Sequence, residues 1–324
     1  MGGGNYSHEA YRHISAPRQA MSTAEIREKV FSSEMKPHMD PRNVKVRESR
    51  DSANHPDSNA IGVVFDVTGS MGHIPIEFAK HKLGNLMKLL LEQSLVPHPQ
   101  VCFGAVGDGR TDRAALQIGQ FESDVTMDQC LSDIWIEGNG GGNQGESYGL
   151  AHYFFARRTS IDCQEKRGKK GYLFTVGDEP IHRSVTRAEA EKVFGERNEA
   201  DIPVLDLIRE AQQRYHVFHI VVGQTSWGDN PHTIAGWREL LGDNVLKLSD
   251  PQDVSELIGA AVGLCEGQNI ETVDAALRAA GATARTIENV NSAVAAFRQS
   301  LSRQVPGTVT GKLPASKPSS TVRL

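Results

Sequence analysis

The sequence predicts an α/β fold of the doubly wound kind, a mostly parallel six-stranded sheet with helices on both faces. Two observations carry that prediction. Between about residues 58 and 265, short apolar runs alternate with helical patterns six times. That order needs right-handed crossovers, which lay helices over parallel strands. The run Ile61, Val63, Val64, Phe65 contains no polar residue, as a strand buried on both faces requires.

Residues 1–57 form a polar arm of mixed charge, with a short helix over 24–31 and Val30, Phe31 and Met35 free to dock. Its composition predicts an arm that is partly ordered at best. The turn from Pro56 to Asn59 closes it off. The first strand ends at Asp66, and a helix over 73–94 follows, with Ile74, Phe78, Leu83, Leu86 and Leu90 at three- and four-residue spacing and Pro75 in its first turn. A second strand over 101–106 runs into the acidic turn Gly107 to Asp112; 114–118 is an edge-like third strand and 126–135 a helix. The glycine-rich stretch 138–147 precedes a helix that carries Leu150, Tyr153, Phe154 and Phe155 and runs to the basic cluster 166–170. A fourth strand over 171–176, helical pieces in 186–214, a fifth strand over 217–222, a helix over 233–241, a sixth strand over 245–248 and a closing helix over 254–265 complete the domain, 58–265. Beyond it lie a helical extension, 266–304, divided by Gly281, and a tail, 305–324, whose Pro, Ser and Thr content predicts disorder.

Hydrophobic residues at 39% and charged residues at 23% supply an ordinary core. A formal net charge of −5 argues against general affinity for nucleic acid. The four cysteines, Cys102, Cys130, Cys163 and Cys265, lack metal-ligand spacing and read as reduced thiols of a cytoplasmic protein. No apolar run approaches the ~18 residues that span a membrane, and the first residues carry no signal core.

The loop after the first strand brings Asp66, Thr68 and Ser70 together with two glycines. One carboxylate and two hydroxyls thus gather at the carboxyl edge of the sheet, where open α/β folds bind ligands. An oxygen-only set suits magnesium or calcium and not zinc or copper. Asp66-x-Thr68-x-Ser70 resembles the D-x-S-x-S signature of von Willebrand factor A (vWA) domains, which opens their metal-ion-dependent adhesion site (MIDAS). Thr68 keeps the hydroxyl of the first serine.

Two further stretches extend the resemblance. Gly140, Gly141, Gly142, Asn143 and Glu146 are similar to the G-G-G-D-x-P-E string of intracellular members, with Asn143 at the ligand position. Glu146 or Ser147 supplies the ligand if the loop is arranged differently. The stretch Thr175 to Pro180 resembles the T-D-x-x-P string after the family's fourth strand, with Asp178 as its carboxylate and Glu179 as an added charge.

The resemblance implies a Rossmann-like vWA fold of the intracellular bacterial or phage type over 58–265, without catalytic residues. It implies a magnesium ion, with calcium or manganese as substitutes, met directly by Ser70 and by Thr68 or Asn143, and held partly through water by Asp66 and Asp178. One coordination position stays open for an acidic side chain of a partner protein. The implied function is a metal-dependent protein–protein interaction module, a scaffold or adaptor in an intracellular assembly, with an ATPase or kinase system as the family's typical company. Four carboxylates around one ion would over-neutralise it, so some of Asp66, Asp178, Glu179 and Glu146 must face away, or the partner is not a carboxylate.

The alternative is a magnesium-dependent phosphatase of the haloacid dehalogenase type, which also uses an aspartate after its first strand. It needs a second aspartate at position 68, where Thr68 stands, and its late acidic motif would have to be Gly107 to Asp112, too early in the chain. A dinucleotide-binding reading of Gly140-x-Gly142-x-x-Gly145 lacks a strand before the glycines. His73 and His182 flank the loops and read as loop residues.

Overall fold

The computed structural model describes residues 2–69, 71–138, 145–225 and 227–304. Ser70, Asn143 and the tail 305–324 lie outside the described residues, together with the expectations placed on them.

Six strands form the central sheet: β1 (Asn59–Asp66), β2 (Pro99–Val106), β3 (Leu116–Ile118), β4 (Gly171–Gly177), β5 (Tyr215–Val222) and β6 (Val245–Leu248), in the order β6-β5-β4-β1-β2-β3. All pair in parallel except β3, which runs antiparallel beside β2 at one edge. The expected doubly wound fold is therefore the observed one. From β1 the chain moves outward to β2 on one side and later returns to β4 on the other. The strand order reverses between β1 and β4, and Asp66 ends the strand at that switch point.

Alternation along β1 divides the core. Ile61, Val63 and Phe65 belong to one buried cluster, and Ala60 and Val64 to the other. The first face receives the continuous helix α3 (73–92), whose hydrogen bonding widens to π-helical turns over Phe78–Lys82 and Lys88–Glu92. Further helices in chain order are α4 (Thr126–Ser132), α5 (Tyr148–Arg157), α6 (Asp162–Arg167), α7 (Arg187–Phe194), α8 (Val204–Gln212), α9 (Pro231–Leu241), α10 (Val254–Cys265), α11 (Ile270–Ala280) and α12 (Ala284–Gln304). α5 and α8 cover the second face. Gly62 makes that possible, because a Cβ there would lie 2.4 Å from the Phe155 ring. α11 and α12 join the first cluster through Val273, Leu277, Val290, Val294 and Phe297, and the Phe297 ring meets Phe218 edge-on at 5.1 Å.

Two expectations need correction. The helix that starts near residue 147 does not run to the basic cluster; α5 stops at Arg157, the segment Thr159–Ile161 pairs as a strand, and α6 follows separately. The N-terminal arm, expected to be partly ordered at best, is docked along its length. It holds two helices, α1 (His8–Gln19), absent from the sequence reading, and α2 (Thr23–Lys29), closed by a Ser22–Glu25 capping box. Tyr11, Ile26, Phe31 and Met39 are buried in the core. Arg47–Ser49 pairs in parallel with Thr159–Ile161, and Arg50 beside it bonds Asp162 and Glu165. The arm also closes the exposed edge of β3: the Met39 carbonyl accepts from the Ile118 amide at 2.9 Å, and Arg47 donates to the Ile118 carbonyl at 2.7 Å. A bare strand edge is a template for pairing with other chains, so this part of the arm shields the fold.

Among the described residues no helix is long and apolar enough to cross a membrane. All four cysteines are free thiols.

Candidate metal centre

The site is built outward from Asp66, whose side chain is fully buried at the end of β1. One carboxylate oxygen, Oδ1, accepts from the Thr68 amide at 2.8 Å and from the Thr68 hydroxyl at 2.6 Å. The other, Oδ2, accepts from the Tyr148 hydroxyl at 2.6 Å. Asp66 therefore orients Thr68: the hydroxyl proton points at the carboxylate, which leaves the oxygen's lone pairs for another partner. Burial pushes the Asp66 carboxyl up to about 6, opposed by the bonds from Thr68 and Tyr148 and aided by the charge of Asp178.

Tyr148 opens α5 and reaches Asp66 only because Gly177 ends β4; a Cβ at position 177 would stand 1.9 Å from the phenol oxygen. Sequence reasoning missed both residues. A tyrosine among Leu150, Tyr153, Phe154 and Phe155 reads as core, and the one available signal is the glycine directly before Asp178.

The second and third loops are knitted together. The Glu146 amide donates to the Pro180 carbonyl at 2.8 Å, and the His182 amide returns to the Glu146 carbonyl at 3.2 Å. That bridge places the carboxyl groups of Glu146 and Glu179 in one region with Asp66, Asp108 and Asp112, which act on one another electrostatically. Glu146 is 3% exposed, and its Oε2, like Oε2 of Glu179, has no hydrogen-bond partner among the described residues. Burial first, then the charges of Asp66, Asp108, Glu179 and Asp112, push the Glu146 carboxyl up to about 10. Burial and the charges of Asp178 and Asp66 push Glu179 up to about 7, against a bond from the Gly145 amide.

The remaining expected ligands are distributed as follows. Asp178 is fully buried beside Asp66. Ser147 faces away, its hydroxyl donating to Glu189 at 2.9 Å and accepting from the Gly109 amide at 2.9 Å. Ser70 and Asn143 lie outside the described residues. Among the described residues no three His, Cys, Asp or Glu side chains converge as a metal shell. The donor set nevertheless fits a hard divalent cation: the side chains are oxygen-only, and two buried carboxyl oxygens have no partner. Of the described residues, Glu146 and Glu179 offer unpartnered oxygens, and Thr68 offers lone pairs, that could meet such an ion.

Behind Tyr148 the core stays polar. The Tyr148 ring lies edge-on to His219 and to Trp237, each at 5.2 Å, and Trp237 stacks on His219 at 3.5 Å. Trp237 Nε1 donates to the Glu179 carbonyl at 3.1 Å, tying this aromatic group to the third loop. His152 is fully buried nearby, and neither of its ring nitrogens has a hydrogen-bond partner among the described residues. Burial lowers the His152 imidazole from its ordinary 6.5 to about 4.

Between those two values the unfolded chain takes up a proton that folded His152 refuses, so this residue's contribution to stability falls as pH falls. The expected slope is about 1.4 kcal/mol per pH unit. The raised carboxyls of Asp66, Glu146 and Glu179 act in the opposite sense, so the informative quantity is a difference between variants. Urea midpoints taken from pH 7 to pH 4 should fall less steeply for His152→Leu than for the parent chain. Parallel curves would mean that His152 accepts its proton without unfolding.

No family model matches the chain, and no curated protein matches it either. Solved structures give remote likenesses. The open conformation of the pilus adhesin SpaC from Lactobacillus rhamnosus GG is 9% identical, with 71% of this chain and 31% of the adhesin covered and a TM-score of 0.40. The conserved hypothetical protein BatB from Bacteroides thetaiotaomicron is 10% identical over 65% of this chain and 100% of that one, with a TM-score of 0.36. Proximal thread matrix protein 1 from the mussel byssus is 12% identical over 64% of this chain and 48% of its own, with a TM-score of 0.37. The match thus spans about a third of the adhesin and about half of the byssus protein. Matches this remote say nothing about what the chain binds.

Proposed function

We propose that the chain is a vWA-type interaction module with a MIDAS-like site, which takes magnesium and presents it to a partner protein, and that it has no catalytic chemistry of its own. The observation that carries this reading is the buried surplus of carboxyl groups at the switch point of the sheet. Asp66 is spent on orienting Thr68, while Glu146 and Glu179 keep unpartnered oxygens where burial and neighbouring charge disfavour their ionised forms. A cation at these residues would favour the ionised forms and relieve the repulsion. Magnesium, when bound, would supply positive charge that offsets these carboxylates. Thr68 and the loop carboxyls hold it; Tyr148 and Thr68 keep Asp66 fixed behind it.

The role is that of a scaffold or adaptor in a cytoplasmic assembly, in keeping with four free cysteines. With Asp66, Glu146, Asp178 and Glu179 all drawn to one region, the partner contributes a neutral oxygen donor rather than an acidic side chain, and an ATPase or kinase system is the class of machinery to search.

Calorimetric titration of magnesium, and separately of calcium and manganese, into metal-free chain and into the Asp66→Ala, Ser70→Ala double variant tests the reading. Saturable binding by the parent chain, weakened at least about tenfold in the double variant, is expected, since two oxygen donors worth about 1 kcal/mol each are removed. Absence of binding by the parent chain, or equal binding by both, overturns it.

A further inference from the structure

Arg27 lies on the arm, outside the three loops. Its Nη2 donates to the main-chain carbonyls of Ile136 at 2.9 Å and Glu137 at 3.2 Å. That short stretch forms a wall along the first loop. The Gly138 carbonyl oxygen lies 3.7 Å from where a Cβ on Gly69 would stand, and the Ile136 side chain comes within 2.9 Å of a Cβ on Gly72. Gly72 thus admits the wall, which lies in contact range of Gly69 as well, so the wall limits where this loop can move. At Gly138 the backbone turns with φ at +70°, and a Cβ there would stand 2.3 Å from the Arg27 guanidinium. The guanidinium therefore fills the turn as well as bonding its two carbonyls.

The arm keeps this cation in place. Ile26, the preceding residue, is fully buried, and the capping box fixes the start of α2. On the other side of the wall, the Glu137 carboxylate accepts from the Arg113 and Ala114 amides at 3.0 and 3.1 Å, so the stretch is held from both flanks.

We propose that Arg27 is a positioning residue for the site: the N-terminal arm sets the geometry of the Asp66–Thr68 loop through the carbonyls of Ile136 and Glu137. The proposal rests on the metal-binding reading of that loop and adds a control element from outside the domain that carries it. Arg27 is itself exposed, so its loss costs the global fold little and shows at the loop.

The test uses the full chain with Arg27→Ala, Arg27→Lys and Arg42→Ala. Arg42 is the matched control, because it lies on the same arm and donates to a main-chain carbonyl, that of Glu191, at 3.0 Å, away from the wall. Two readouts are taken: magnesium affinity by calorimetry, and amide exchange in metal-free protein at Met71 and Gly72, both of which donate to the Thr68 carbonyl at 3.0 Å. Arg27→Ala should bind magnesium about fivefold more weakly and exchange about fivefold faster at those two amides. Arg27→Lys should lie between, since an ammonium keeps the charge without the planar fork, and Arg42→Ala should match the parent chain. Unchanged affinity and exchange in Arg27→Ala, or the same losses in Arg42→Ala, overturn the proposal. If the parent chain takes no magnesium, the metal reading falls by itself, and the exchange comparison still decides the role of Arg27.

Discussion

Arg18→Ala lowers the stability of the fold by about 3–5 kcal/mol, because it leaves a buried carboxylate without its partner. Asp128 meets Arg18 through two parallel bonds of 2.7 Å, and its side chain is 5% exposed against 11% for the arginine. The same guanidinium also donates to the Ala79 carbonyl at 3.1 Å and to the Ser132 hydroxyl at 3.4 Å, so three groups lose a donor at once. The bonds matter more through what their loss leaves behind than through their net gain. Replacing both partners with apolar residues, Arg18→Met with Asp128→Leu, should therefore restore most of the stability. Urea unfolding at pH 7 checks both variants; a single variant within 1 kcal/mol of the parent would mean that water reaches Asp128 once the arginine is gone.

The second large effect is expected at Gly177. Alanine there places a methyl group on the Tyr148 hydroxyl, and a shift of the Tyr148 ring works against its packing on His219 and Trp237. Either the ring shifts and Asp66 loses its Oδ2 donor, or β4 moves away from the helix. Overpacking and an unsatisfied buried carboxylate together give about 3–4 kcal/mol. The outcome is specific in a double-mutant cycle. Tyr148→Phe removes the atom in the way, so Gly177→Ala should cost much less in that background than alone. Equal costs in the two backgrounds would place the strain elsewhere.

The residues themselves explain which parts of this protein could be read in its sequence. The β1 strand and the Asp66 loop are legible because an apolar run, a carboxylate, two hydroxyls and two glycines are local signals, each forced by a local requirement. The six-fold alternation of strand and helix is legible for the same reason. Tyr148 is not, since its partner lies 82 positions away and it opens a helix whose Leu150, Tyr153, Phe154 and Phe155 read as core. The arm's docking is hidden by averaging: Tyr11, Ile26, Phe31 and Met39 are spread through charged sequence, and all four are buried in one core cluster. The break after α5 was missed because Thr159 to Ile161 is a strand only by virtue of Arg47 to Ser49 alongside it. Composition reports what a segment can bury on average, while single contacts across the chain decide what it does bury.

The arm's partners lie far along the chain: Arg18 meets a residue 110 positions later, and Arg50 one 112 positions later. During synthesis the arm waits for these partners: Asp128 follows Arg18 by 110 residues, a delay of about ten seconds at typical elongation rates. The arm packs on α3, on α4 and on the edge of β3, so it needs those elements in place before it can dock. Loss of these contacts therefore falls on the unfolding limb: Arg18→Ala should speed unfolding while leaving the folding rate nearly unchanged. The arm is thus a latch that the finished sheet receives last, and it governs how long the fold persists once made.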